Sequence, residues 1–199
     1  MSVTQTTIAD SGAQMRSKVE AVLGLIAQNA ERAESDRRVP TENIDALRDA
    51  GFFKALQPVK FGGTPMGAED YTPAVVAVAT ACASTAWASG LLAQHSHIIA
   101  MMSPELQEEI WGDDNDALVS SSVAAINSGT EVPGGVRING NWGWSSGCDH
   151  AKWAVLGFRR AVPELDGLVL PFFAVVPMKD ITIIDDSITR NSVNDFIIN

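Results

Sequence analysis

The stretch Asn139-Gly140-Asn141-Trp142-Gly143-Trp144-Ser145-Ser146-Gly147-Cys148-Asp149-His150-Ala151-Lys152-Trp153 holds three of the chain's five tryptophans. The same stretch holds three glycines, two serines and a Cys-Asp-His triplet. Indole rings can flank a flat ligand, glycines let backbone approach it, and short hydroxyls can bond its edge. The same spacing suits a tight hairpin whose tryptophans fill a β core. Spacing alone leaves both readings open.

Around this stretch, short apolar runs alternate with turns: 117–123, 136–139, 153–158, 168–176 and 181–184. Pro133-Gly134-Gly135 and Asn139-Gly140 supply turn chemistry. These runs predict a small antiparallel β domain. Upstream, the period changes to that of helices. Val19, Val22, Leu23, Ile26, Ala27 and Ala30 recur at helical spacing within 11–35, behind a loose tail over 1–10. Pro40 opens the next helix, which buries Ile44 and Leu47 and stops at Gly51. A connector over 52–63, punctuated by Pro58 and Gly62-Gly63, leads to two helices over 68–102. These are expected to break near Ala83-Ser84-Thr85, with a serine capping the second. Trp87, Leu91 and His95 step by four along that second helix. Ser103-Pro104 starts a short helix buried through Leu106, Ile110 and Trp111, and the acidic loop Gly112-Asp113-Asp114-Asn115-Asp116 follows. The expected organisation is α+β: an all-α domain over 1–112, a β domain over 113–186 and a separate tail over 187–199.

Fourteen basic against twenty-four acidic residues give a net charge of −10, which argues against nucleic acid or an anionic membrane as partner. Residues 71–103 carry no Asp, Glu, Lys or Arg, yet they are rich in Ala, Ser and Thr and read as buried helix rather than membrane span. Cys82 and Cys148 fit neither a disulfide framework nor a metal site, and with no signal peptide visible at the N-terminus the expected location is the cytoplasm. Gly134-Gly135 and Gly140-Asn141-Trp142-Gly143 lack the strand–glycine–helix context of a nicotinamide or P-loop site.

The segment Trp144-Ser145-Ser146-Gly147-Cys148-Asp149-His150-Ala151 resembles the middle-domain signature of the oxygenase components of two-component, flavin-dependent aromatic monooxygenases. These are the enzymes similar to p-hydroxyphenylacetate hydroxylase, built on the acyl-CoA dehydrogenase fold. The likeness runs from about Arg37 to about Asp186. It implies a helical N-terminal domain, a β domain, and reduced FMN supplied by a separate reductase, with FAD as the alternative flavin. It also implies hydroxylation of a phenolic or other aromatic substrate through a flavin C4a-hydroperoxide.

Carried over by motif, His95 faces the substrate as base or hydrogen-bond partner, and Ser121 stands between flavin and substrate. Trp87, Ser121, Ser122, Trp144, Ser145 and Ser146 form the implied flavin-binding set, with Ser146 near flavin N5. No metal is implied. His97 is the weaker histidine candidate, and Asp149 and His150 are read as structural. Relatives continue past the pair matching Asp185-Asp186 into a C-terminal helical bundle and assemble as homotetramers; the tail Ser187 to Asn199 departs from that pattern. The expectation is therefore a chain lacking the bundle and inactive by itself. Two alternatives stand: an acyl-CoA dehydrogenase-type flavoprotein, and a non-catalytic remnant or partner-binding module.

Overall fold

The computed structural model describes residues 8–64, 66–184 and 195–198. It divides into two compact units, residues 1–118 and 119–199. The expected features at 185–194, including Asp185-Asp186, lie outside the described residues, as does most of the expected N-terminal tail.

Among the described residues, six α-helices form the first unit: α1 Ile8–Gln28, α2 Ala30–Ser35, α3 Thr41–Asp49, α4 Ala68–Ala81, α5 Ala83–Ala100 and α6 Pro104–Trp111. Helix α1 begins at Ile8, inside the expected loose tail. It buries Met15, Val19 and Ile26, while Ala27 faces solvent. Ile44 and Leu47 are the buried face of α3, and Gly51 follows its C-cap in the left-handed region at φ 82°. Gly63 is held by crowding instead: a Cβ there would lie 1.8 Å from the Gln57 carbonyl oxygen. The core gathers Phe52, whose ring meets Phe53 and Tyr71 at 5.5 and 5.3 Å, and Trp111, which packs on Phe61.

Helices α4 and α5 break at Cys82, one residue before the expected serine region. Its extended backbone (φ −158°, ψ 111°) ends one helix, and its Sγ accepts from the Thr85 N–H to cap the next. Thiol thus takes the place of hydroxyl. A polar ladder crosses the helices: Asn29 Nδ2 donates to Asn43 Oδ1 at 2.8 Å, and Asn43 Nδ2 donates to Thr85 Oγ1 at 3.0 Å. Asn43 is fully buried, so both ends of its amide need these partners. Ser103 caps α6 with Pro104 behind it, as the sequence predicts. The acidic loop after α6 folds back on this unit: Lys54 pairs with Asp116 at 2.9 Å, and Gln57 donates to the Asn115 carbonyl at 2.8 Å. No helix among the described residues is long and apolar enough to cross a membrane.

The second unit holds β1 Val119–Val132, β2 Gly135–Ile138, β3 Gly140–Trp142, β4 Trp153–Val162, β5 Leu168–Pro177, β6 Ile181–Ile184 and β7 Asp195–Ile198. One sheet is ordered β2-β1-β4-β5 and the other β3-β7-β6. The expectation of a purely antiparallel domain is corrected at one pair, because β1 and β4 run parallel. After the β1–β2 hairpin reverses the chain, β3 and the loop beyond it reverse it again before β4, which is the long crossover a parallel pair needs. Asn139-Gly140 is therefore no hairpin turn; it is the point where the chain leaves one sheet for the other. Strand β7, from the tail set apart in sequence, pairs with both β3 and β6. The core packs Ile138, Trp142, Cys148, Ala154, Leu156 and Phe158 against β5 and β6.

Candidate functional site

The signature stretch splits its tryptophans between two environments. Trp142 is fully buried, with Nε1 donating to the Gly157 carbonyl at 2.7 Å, and so belongs to the β core. Trp144 is 67% exposed and sits at φ 66°, a left-handed conformation rare for a bulky residue. In an extended strand these two residues would share a face. The left-handed turn at Trp144 breaks that alternation and sends the second indole to the surface.

The loop beyond is closed by its own backbone, with Cys148 N–H reaching the Ser145 carbonyl at 3.3 Å and His150 N–H reaching Gly147 at 3.0 Å. Cys148, Asp149 and His150 form a short 3-10 turn. The Ser145 side chain is fully buried, and its Oγ has no hydrogen-bond partner among the described residues. A buried hydroxyl of this kind is costly unless a partner is supplied. Ser146 is half-buried beside it.

The serine triplet lies at the start of β1. Ser120 and Ser122 are buried on one face, and Ser121 is half-buried on the other. Ser122 Oγ donates to the Gly143 carbonyl at 2.6 Å, which ties β1 to the tryptophan loop. Ser121, Ser122 and residues 144–146 are therefore brought into one unit, with Ser122 and Gly143 in direct contact.

His95 and Trp87 both lie on α5 in the helical unit. Trp87 is 61% exposed and His95 5% exposed. A step of four turns a helix about 40° past a full revolution, so the line from Trp87 through Leu91 to His95 walks from surface to interior. The sequence did not single out an open, largely apolar cleft of about 540 Å³ in the helical unit, lined by Met66, Tyr71, Val75, Gly90, Gln94 and His97. Its only signal was the spacing of Gly90, Gln94 and His97 at three to four residues. Burial pushes the Tyr71 phenol well above its ordinary range, and its hydroxyl donates to the Gly90 carbonyl at 2.9 Å.

The family model of the acyl-CoA dehydrogenase N-terminal domain matches residues 12–112, from within α1 through α6. The chain belongs to the acyl-CoA dehydrogenase family. Among its relatives in that family, the oxygenase component of p-hydroxyphenylacetate 3-hydroxylase from Acinetobacter baumannii is 48% identical over 176 residues, covering 88% of this chain and 41% of the relative. The flavin-dependent monooxygenase oxygenase subunit HsaA from Rhodococcus jostii is 42% identical, covering 70% of this chain and 37% of that protein. The crystal structure of the HsaA monooxygenase from M. tuberculosis superposes with a TM-score of 0.89 at 32% identity, over 94% of this chain and 52% of that one. This acyl-CoA dehydrogenase family chain thus spans about two fifths of the length of the two sequence relatives, at 41% and 37%.

Proposed function

We propose that this chain carries flavin- and substrate-facing parts of the oxygenase component of a two-component aromatic monooxygenase. The observation that carries the reading is the exposure of Trp87 and Trp144, at 61% and 67%. Each matches by motif an aromatic position near the isoalloxazine in the family it resembles, and an exposed indole can lie against a flat ring. By resemblance, Ser121, Trp144 and Ser146 would lie against the flavin, and Trp87 is a flavin position by motif alone. Reduced flavin supplies the oxygen activation.

The chain's own residues bind, orient and move one proton. His95 Nδ1 or Nε2 takes the phenol proton, because a phenolate ring carbon is the better nucleophile. Ser121 orients the substrate toward the flavin, and Ser146 donates a hydrogen bond near N5. The indole of Trp144 would exclude water from its side of the reacting centre. The finer reading is reduced FMN delivered by a separate reductase to a homotetramer in the cytoplasm. Two buried thiols outside any disulfide, Cys82 and Cys148, are in keeping with a reducing compartment.

The test is a coupled assay of this chain extended by the C-terminal half of a full-length relative, with a flavin reductase, FMN, oxygen and a panel of phenols; the chain alone is expected to convert no phenol. The reading expects catechol product, and in His95→Ala a loss of about 10²–10⁴-fold in hydroxylation while flavin oxidation continues as hydrogen peroxide release. Product yield per flavin oxidised that is unchanged in His95→Ala overturns the assignment of the base. Dehydrogenation of an acyl-CoA thioester, with no phenol converted, overturns the whole reading.

A further inference from the structure

We propose that Ser122 is a positioning residue that sets the conformation of Trp144, rather than a group that touches the flavin. The inference deepens the proposed function, since the value of placing Trp144 rests on the reading of that indole as flavin-flanking. Ser122 is 4% exposed, and its hydroxyl proton is committed to the Gly143 carbonyl at 2.6 Å. The Gly143 carbonyl belongs to the same rigid peptide plane as the Trp144 N–H, so with Trp142 on one side and the loop closed at Ser145 on the other, holding that oxygen resists the peptide flip that would change the Gly143 ψ and the Trp144 φ together. That φ, 66°, is the one that carries the indole out of line with buried Trp142.

The fold supplies the other end of the clamp. Trp142, on the far side of Gly143, is anchored through its Nε1 bond to Gly157. Gly143 itself can rotate freely, so the peptide between Gly143 and Trp144 would be able to flip if nothing held its oxygen. Ser122 stands where it can reach. It is paired with Leu156 at the end of the regular β1–β4 register, just before the pairing slips to Asn127–Phe158. Strand alternation puts Ser122 on the face opposite Ser121, so one strand offers one serine toward the loop and the other to the opposite side. Two adjacent serines of like appearance in sequence thus have separate duties.

The experiment labels the protein with 5-fluorotryptophan and follows its five indoles by fluorine NMR, the Trp144 signal being assigned by its loss in Trp144→Phe. In Ser122→Ala the Trp144 signal is expected to shift or split, while that of Trp111, held in the helical unit by its bond to the Ala117 carbonyl, stays in place. Ser122→Thr, which keeps the hydroxyl, is expected to restore the wild-type Trp144 signal. Reduced-flavin affinity is expected to weaken about 2- to 10-fold in Ser122→Ala, the scale of one hydrogen bond, and to recover in Ser122→Thr. A Trp144 signal unmoved by Ser122→Ala overturns the proposal, as does a change spread over all five signals alike or a failure of threonine to rescue. A Trp144 signal that moves and is rescued, with flavin affinity unaltered, upholds the positioning role and overturns the reading of Trp144 as a flavin contact.

Discussion

Trp142 and Trp144 are two residues apart and do opposite things, and the energetics of each follow from its surroundings. Trp142 is fully buried and hydrogen-bonded, so Trp142→Ala opens a large cavity and strands the Gly157 carbonyl. Its expected cost is about 3–5 kcal/mol in urea unfolding. Trp144 is mostly exposed and pays for its left-handed backbone with about 1–2 kcal/mol of strain, a sum comparable to the roughly 0.5–1.5 kcal/mol of one hydrogen bond. Trp144→Gly is therefore expected to leave stability unchanged or raise it by up to about 1 kcal/mol, while weakening flavin binding. A loss of stability as large as that of Trp142→Ala would show that the Trp144 indole is packed. Sequence could not divide these two tryptophans, because period-two alternation assigns them one face and only the φ of Trp144 separates them. The serine pair was equally opaque: motif resemblance marks Ser121 and Ser122 together, whereas the strand turns them to opposite sides.

At the scale of elements, helix boundaries written in capping chemistry were legible. Ser103-Pro104 and Gly51 are local signals, and the helices begin and end beside them. Cys82 was missed because a thiol cap looks like an ordinary buried apolar residue, and Asn43 was missed because its partners, Asn29 and Thr85, are distant in sequence. Asn43→Ala leaves two buried groups unsatisfied and is expected to cost roughly 1–3 kcal/mol for each that finds no water, read as a lowered urea midpoint. Asn43→Asp, which keeps shape but loses the donor to Thr85, should fall between. The α4–α5 contact has a pH signature. Burial favours the neutral Tyr71 phenol, so its folded pKa lies above the ordinary value of 10. Its contribution is fully present below pH 10 and is lost as pH rises above it, because the unfolded chain then gives up the proton more readily. Tyr71→Phe removes the bond to Gly90 and should cost about 0.5–1.5 kcal/mol at pH 8. The gap to wild type should close as the pH passes 10. A gap that stays constant across that range would contradict the burial of the phenol.

Across the whole molecule, the helical half was the more readable because its apolar periodicity and caps are local. In the β half the parallel β1–β4 pair and the insertion of β7 between β3 and β6 depend on long-range pairing that leaves no local mark. Each unit also shows large apolar side chains to solvent: Val76, Trp87 and Met101 in the first, Val123, Ile126 and Phe173 in the second. With a net charge of −10 opposing association at low salt, the chain is expected to self-associate in a concentration-dependent way as salt rises. Light scattering would follow it. Ile126→Ser with Phe173→Ser should reduce the association, and a chain that stays monomeric at all salt concentrations would show these surfaces to be inert. The proposal that the exposed Trp144 indole lies against a reduced flavin is tested most directly by anaerobic titration of the protein with reduced FMN, followed by tryptophan fluorescence. The account predicts saturable quenching in the wild type, most of it lost in Trp144→Phe. No saturable quenching in the wild type, or quenching that survives removal of that indole, would contradict it.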